Sequence, residues 1–179
     1  EQKIAQAFKE TSPLKANVKE LEKEVPPNLE VIRRPAFEVY SIYKKLTGRK
    51  KDQNLQPEIV TSSNKEKSFV ENLAIWIRGN FFIPDGRKFW IKPSIEYLSK
   101  YIQNNPVDAI ISSSPPQSDH LIAQSLAKKF NLPWIADFRD PWTQVDYFDQ
   151  LKLSTWAKRK HQQLEAGVLK NADIVLTVS

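Results

Sequence analysis

Residues 134–142 read WIADFRDPW, and this stretch decides the fold that the sequence predicts. It begins as a short apolar run, which is typical of a strand buried in a sheet. Within four positions the chain then places Asp137, Arg139 and Asp140, and Pro141 cannot continue a central strand. Charged side chains at this point mark where the chain leaves the core and where a pocket can begin.

The segments around this stretch predict strands and helices in alternation. Strands are predicted over 107–111, 133–136 and 173–178, and helices over 89–104, 117–130 and 153–170, preceded by an apolar helical face within 69–77. The strands are apolar without strict alternation, as expected where helices cover both faces of a sheet. Helical crossovers imply parallel neighbours. The sequence therefore predicts a doubly wound, mostly parallel α/β sheet, with a Rossmann-like βαβαβ core over 69–179.

The remainder of the chain is predicted to belong to the same single domain, 1–179. Apolar residues at helical spacing predict a helical lead-in over 1–28, and 29–32 is a short strand candidate. Residues 47–67 are lysine-rich with few apolar positions, which predicts an exposed, mobile loop.

Composition excludes several classes of site. The chain has no cysteine, which removes disulfides and thiolate metal sites, and its 4 glycines cannot form a glycine-rich phosphate loop. Only 2 histidines are present, so no metal site and no cofactor is predicted. No apolar run reaches the roughly 20 residues that span a bilayer, and no signal-peptide pattern is present. A cytoplasmic location is therefore expected.

The net charge of +6, with a pI near 9.4, predicts an anionic partner. A phosphorylated substrate, an anionic membrane surface and nucleic acid all fit such a charge. The basic residues do not form one stripe and no nucleic-acid-binding module is recognisable, so nucleic acid is not predicted. Peripheral contact with the inner face of the plasma membrane stays open.

The loop 112–120, SSSPPQSDH, leads from a predicted strand into a predicted helix. Serine hydroxyls such as those of Ser113 and Ser114, together with backbone N–H groups at a helix start, can bind an anion. Capping of the helix by Ser118 or Asp119 is the simpler alternative. His120 lies in the first helical turn, where it could serve as an acid or base, or make only capping and surface contacts.

The charged segment after the next strand has two interpretations. Arg139 can bridge Asp137 and Asp140 in a structural ion network, since partly buried charges are usually paired. Alternatively, its guanidinium binds a phosphate or carboxylate of a ligand, with an aspartate orienting a substrate hydroxyl or Arg139 itself. Trp142 would then provide flat apolar surface. His161, in the basic run KRKH, is predicted to be solvated.

Four blocks in this order carry a resemblance to a known family. They are IPDGRKFW (83–90), DAIISSSPPQSDHLIA (108–123), LPWIADFRDPW (132–142) and LEAGVLKNADIVLTVS (164–179). Together they resemble the amino-terminal domain of bacterial GT-B glycosyltransferases of the family-four-like type, over about 29–179, as found in enzymes of surface-polysaccharide assembly.

The resemblance implies a domain that contributes the acceptor side of a cleft, while a second Rossmann-like domain binds most of a nucleotide-sugar donor. It implies a glycan or a lipid-linked acceptor. The family's first strand, its glycine-rich turn and its donor half have no counterpart here, so the sequence is expected to be truncated at both ends and inactive by itself.

The resemblance also assigns residues. The family's acceptor-side loop matches 137–142, but many relatives have a histidine where this sequence has Arg139, which makes the guanidinium the expected contact to substrate phosphate. Asp85 and Arg87 match a loop that can approach the cleft, and Glu165 matches a glutamate expected to be structural. No catalytic residue is assigned in this half. The predicted substrate-binding residues are Arg139, Asp137, Asp140, Ser113, Ser114, His120, Asp85, Arg87 and Trp142.

A non-catalytic interaction domain is the rival hypothesis, with FRDPW as a salt-bridged corner. A geometric criterion separates the two. In a transferase the serine loop, Asp85, Arg87 and Arg139 should line one concavity, and Arg139 should not be matched by its neighbouring carboxylates.

Overall fold

The computed structural model describes residues 25–26, 29–34, 69–145, 148 and 151–178. Four helices and three strands lie within them. These are α1 (Phe69–Phe81), α2 (Lys88–Asn104), β1 (Ile110–Ser114), α3 (Ser118–Phe130), β2 (Trp134–Phe138), α4 (Thr155–Asn171) and β3 (Ile174–Thr177). The predicted lead-in over 1–28, apart from residues 25 and 26, and the predicted loop over 47–67 lie outside the described residues. Of the candidate strand at 29–32, Val31 forms a β-bridge.

The three strands form one parallel sheet in the order β1-β2-β3. Ser112 is paired with Ala136, and Ala136 in turn with Val175. Each strand is followed or preceded by a helix that carries the chain back, which is the βαβ connection that parallel neighbours require. The α/β class and the parallel pairing predicted from the sequence are confirmed.

One face of this sheet packs against helices. Trp134, Ala136 and Phe138 alternate along β2 and form a buried cluster with Ala123 and Ala127 of α3 and Val168 of α4. A second cluster joins α2 to α3 through Trp90, Ile122 and Leu126. The described helices therefore pack on the face of the sheet to which Trp134, Ala136 and Phe138 point.

The other face of the sheet is not covered by the described helices. Ile111, which is aligned with Ile135 and Ile174, is 62% exposed, and Leu176 is 49% exposed. The second helical layer of a doubly wound sheet is therefore not among the described residues and stays a prediction. The strands show no strict alternation of apolar and polar residues because the side chains on this open face are apolar too.

The first strand begins three residues later than predicted. The apolar run favours 107–111, whereas β1 is Ile110–Ser114 and includes the serines. Serine can occupy a buried strand position when its hydroxyl is hydrogen-bonded. Ser112 meets this condition, since its Oγ accepts a hydrogen bond from Trp134 Nε1 at 2.9 Å. The first three residues of the predicted "serine loop", 112–114, are therefore strand, and its last three, 118–120, begin the next helix.

Gly79 allows α1 to approach the segment before α4 closely. A Cβ added at Gly79 would lie 2.6 Å from Leu153 Cδ2 and 2.8 Å from the Leu151 carbonyl oxygen. Both distances are shorter than real contacts, and a backbone carbonyl cannot rotate away as a side chain can.

We expect Gly79→Ala to lower the free energy of unfolding by about 1 to 2 kcal/mol, because the overpacking outweighs the gain in helix propensity. Gly167→Ala is the matched control in α4, since its Cβ would meet nothing closer than Gln124 Nε2 at 3.8 Å. That variant should be more stable by roughly 0.5 to 1 kcal/mol. Urea unfolding of both variants measures these changes in the free energy of unfolding. Changes of the same sign in the two variants would contradict the close approach at Gly79.

Candidate functional site at the carboxyl edge of the sheet

Two of the predicted site residues meet on the open face of the sheet. Ser113 and Asp137 are register partners at the carboxyl ends of β1 and β2, and Ser113 Oγ donates a hydrogen bond of 2.7 Å to Asp137 Oδ2. Ser113 is exposed and Asp137 is half-buried. A carboxylate has about four acceptor positions, so Asp137 can still accept hydrogen bonds from a ligand hydroxyl.

Arg139 is the first residue after the end of β2. Its backbone N–H donates to the Ser114 carbonyl oxygen at 3.2 Å, which extends the parallel ladder by one residue beyond Phe138. Residue 139 lies in the bend that directly follows β2, at the same edge of the sheet as the Ser113–Asp137 pair. The side chain is exposed, and within the described part of the chain its guanidinium has no ion-pair partner. The predicted ion network of Arg139 with Asp137 and Asp140 is not formed.

The positions of Asp140 and Arg87 neither support nor oppose the predicted substrate contacts. Asp140 is exposed one residue beyond Arg139 and bonds to none of the described residues. Arg87 is half-buried at the start of α2, where its backbone N–H donates to Asp85 Oδ1 at 2.7 Å. A contact between the Arg87 guanidinium and the substrate therefore stays a prediction. The backbone N–H of Arg87 already has a structural role.

Asp85 occupies the anion-binding position predicted for the start of α3. Its carboxylate accepts hydrogen bonds from the Ser118 backbone N–H at 2.7 Å and from Ser118 Oγ at 2.7 and 2.8 Å. The residue before the helix, Gln117, makes no side-chain cap. The unsatisfied donors at the helix start are thus matched by a carboxylate from the α1–α2 turn rather than by a ligand. Ser118, one of the two predicted capping residues, instead donates its hydroxyl and its backbone N–H to Asp85, which forms this longer-range cap.

Three predicted contacts lie in the protein interior. The side chains of Ser114 and His120 have no exposed surface, and Trp142 is 3% exposed. Ser114 faces the helical side of the sheet, opposite to Ser113, because neighbouring strand residues alternate. In this structure these three side chains do not reach a ligand at the surface.

His120 belongs to a buried hydrogen-bonded chain. Trp134 Nε1 donates to Ser112 Oγ, and Ser112 Oγ lies 2.7 Å from His120 Nδ1. The imidazole also lies against the Phe138 ring, with 4.5 Å between centroids, while Nε2 is buried without a hydrogen-bond partner. Burial lowers the pKa of His120 to about 4, against the opposing charge of Asp137.

His161 is buried, and the prediction that it is solvated is wrong. Its Nδ1 accepts a hydrogen bond from Trp142 Nε1 at 3.1 Å, and its ring lies edge-on to Phe148 at 5.4 Å. Burial lowers its pKa, although Asp85, the Gly79 carbonyl and Glu165 act in the opposite direction. The basic residues around it in sequence point outward while His161 faces the core, because one helix turn presents both faces.

These histidines predict how stability depends on pH. Both imidazoles have folded-state pKa values below the unfolded value of about 6.5, so the unfolded chain binds more protons. Stability should therefore be fully present above about pH 6.5 and should decrease as the pH falls toward 4. His120 alone accounts for about 3 kcal/mol across this range.

Urea unfolding at a series of pH values checks this expectation. The variant His120→Gln, which cannot be protonated at this position, should show a weaker dependence between about pH 6.5 and 5, where carboxylates contribute little, and the dependence that remains is due to His161. An unchanged pH profile in that variant would contradict the assignment to His120.

Glu165 fixes the loop that follows β2. Its carboxylate accepts hydrogen bonds from Thr143 Oγ1 and from the Thr143 backbone N–H, the latter at 3.3 Å. These contacts link α4 to the segment just beyond Trp142. The structural role expected for Glu165 fits this geometry.

A hollow beside the carboxyl edge brings together only part of the predicted site. Its lining includes Asp85, Gln117, Trp142 and His161, together with Arg78, Gly79, Phe82, Pro84, Gly86, Val145, Phe148 and Leu151. Arg139 and Ser113 are not part of it, so the predicted convergence on one concavity is not observed. Its volume of about 120 Å³ is small beside the roughly 300 to 1,000 Å³ of typical ligand pockets. The candidate site is therefore the open surface formed by Ser113, Asp137 and Arg139.

Three further findings bear on function. The described residues contain no group of three or more His, Asp and Glu side chains that could hold a metal ion. None of the described helices is both long enough and apolar enough to cross a bilayer. Comparison of the chain with protein-family models, with curated proteins and with solved structures gives no match.

Proposed function

We propose that this chain is the acceptor-side domain of a GT-B glycosyltransferase. Such an enzyme moves a sugar from a nucleotide-sugar donor to a glycan or lipid-linked acceptor during surface-polysaccharide assembly. A second domain would bind most of the donor. The observation that carries the proposal is the exposed Arg139, without an ion pair, at the carboxyl ends of adjacent parallel strands. Open α/β sheets bind their ligands at this edge.

The proposed chemistry assigns a role to each of the three surface side chains. The guanidinium of Arg139 binds a phosphate or carboxylate of the substrate through two parallel hydrogen bonds. The carboxylate of Asp137, oriented by Ser113, accepts a hydrogen bond from a hydroxyl of the acceptor. These residues supply no nucleophile; they position the acceptor and stabilise charge that develops in the cleft. Arg139 makes no ion pair with the described residues, which leaves its guanidinium available for this purpose.

A transfer assay tests the proposal. The enzyme that carries this domain together with a donor-binding domain is incubated with a panel of nucleotide-sugars, with and without glycan and lipid-linked acceptors. The proposal expects nucleotide release that depends on an acceptor. Release without any dependence on the acceptor, or none with any donor, would contradict it.

An interaction domain is the second candidate, and the uncovered apolar face of the sheet favours it. Ile111, Ile174 and Leu176 expose on the order of half of their surface on one side. Exposed contiguous apolar residues often mark a protein interface. The convergence of Arg139 and Ser113 with Asp85 on one concavity, which a transferase should show, is not observed and also favours this candidate. The salt-bridged corner that accompanied the hypothesis is not formed.

A further inference from the structure

A second surface, formed by α1 and α4, is rich in exposed aromatic rings. Trp76 and Phe81 of α1 and Trp156 of α4 line a groove together with Lys88 and Lys160. Trp156 is 65% exposed and Phe81 is 58% exposed. Burying such rings is worth more than burying most other side chains, so leaving them in water is costly. We refer to these five residues as the aromatic groove.

The groove has a fixed shape. The side chain of Asn80 joins its two walls, because Nδ2 donates to the carbonyl oxygens of Trp76 and Lys152 while Oδ1 accepts from the Ser154 backbone N–H at 2.8 Å. Ser154 Oγ in turn accepts from the Ala157 N–H and caps α4. Trp76 and Phe81 pack edge to face at 5.7 Å. The backbone of the two walls is therefore joined, and two of the three rings pack on each other.

The same hydrogen bonds decide which ligand fits. Asn80 and Ser154 line the groove, but their polar atoms are already bonded within the protein. A sugar would need such atoms for its hydroxyls, so the lining fits a glycan poorly. The remaining surface is apolar with two lysines, and Lys88 Nζ lies 2.9 Å from the Phe81 carbonyl oxygen at its rim. Of the residues that line the groove, none is acidic.

We infer that the aromatic groove is a docking surface for a bilayer containing anionic lipids. Tryptophan prefers the boundary between acyl chains and headgroups, and lysine at the same level pairs with anionic headgroups. The groove has a volume of about 440 Å³, enough for part of an acyl chain to enter. The purpose of this docking surface rests on the proposed function: it would bring the domain to a lipid-linked acceptor.

Sedimentation of the whole chain with phosphatidylcholine vesicles, with and without phosphatidylglycerol, tests the inference. Binding should require phosphatidylglycerol. Trp156→Ser should weaken binding about tenfold, because a ring that partitions into the interface contributes roughly 1.4 kcal/mol. Lys160→Gln should weaken it about fivefold, as expected for one charge near an anionic surface. When the vesicles also contain phosphatidylcholine with bromine-labelled acyl chains, tryptophan fluorescence should be quenched in the wild-type chain and less so in Trp156→Ser.

Two matched variants control for exposure and charge. Ile111→Ser removes an apolar side chain that is 62% exposed on the sheet face, and Lys128→Gln removes an exposed charge at the end of α3. Both should bind vesicles as the wild type does.

Several results would overturn the inference. They are the absence of wild-type binding, equal binding to neutral vesicles, or an equal loss with Ile111→Ser. Self-association that Trp156→Ser abolishes, without vesicle binding, would assign the groove to a second copy. Vesicle binding without sugar transfer would contradict only the proposed function, and transfer without vesicle binding only the docking surface.

Discussion

Replacing Asp85 by alanine is expected to lower the free energy of unfolding by about 3 kcal/mol. The carboxylate accepts hydrogen bonds from two backbone N–H groups, those of Arg87 and Ser118, and from the Ser118 hydroxyl. Hydrogen bonds to a charged group contribute about 1.5 to 3 kcal/mol, and loss of a helix cap costs about 1 kcal/mol. Ser118 has no exposed surface, so its hydroxyl cannot turn to water instead.

Denaturant unfolding of three variants separates this cap from a general effect of charge. Asp85→Asn keeps one acceptor oxygen and should lose about half as much stability as Asp85→Ala. Asp108→Ala removes an exposed carboxylate in the loop before β1 and should change stability by less than about 0.5 kcal/mol. An Asp85→Ala variant as stable as the wild type would refute the role of Asp85 as the cap of α3.

The second large effect concerns Arg139. Arg139→Ala should reduce kcat/KM for sugar transfer by about 100-fold, because the variant loses about 2.7 kcal/mol of charge-assisted hydrogen bonding to the substrate. Its melting temperature should change by less than about 2 °C, since the guanidinium makes no ion pair with any described residue. Arg139→Lys should recover part of the activity, as lysine retains the charge but not the fork geometry.

A charge-matched control excludes a loss of long-range attraction. Lys170→Ala removes one positive charge from the last turn of α4, at an exposed position outside the candidate site. If general attraction of an anionic substrate were responsible, Lys170→Ala would reduce kcat/KM as Arg139→Ala does. The proposal expects an effect of less than about threefold for this variant.

Periodicity predicts the helices of the described region well. The helix predicted over 89–104 is observed as Lys88–Asn104, and the one predicted over 117–130 as Ser118–Phe130. Each carries a regular apolar stripe and ends at a recognisable stop; Asn131, for instance, adopts the left-handed conformation with a φ of 52°. Local signals of this kind are present in any single sequence.

The strands and their environment are predicted less well. The hydroxyl of the buried Ser112 is bonded to His120 and Trp134, which lie 8 and 22 residues away, so the local pattern of this polar run predicts a loop. The face of the sheet that the described helices leave open has the same apolar pattern as a covered face, so the second helical layer stays a prediction. Sequence pattern records which residues are apolar but not what covers them.

The candidate site depends on contacts that no local pattern contains. Asp85 caps a helix that begins 33 positions later in the chain, and only its place in a PDG turn marks it as a capping type of residue. His161 lies in a basic run, but its spacing from Ala157 and Val168, both buried, places it on the inner face of α4. That spacing was the signal that could have located it.

The most direct test of the account measures kcat/KM and melting temperature together for Arg139→Ala. A loss of transfer of about 100-fold in a variant that melts within about 2 °C of the wild type is the predicted result. Retained transfer, or a melting temperature that falls in proportion to the lost activity, would contradict the assignment of Arg139 to the substrate.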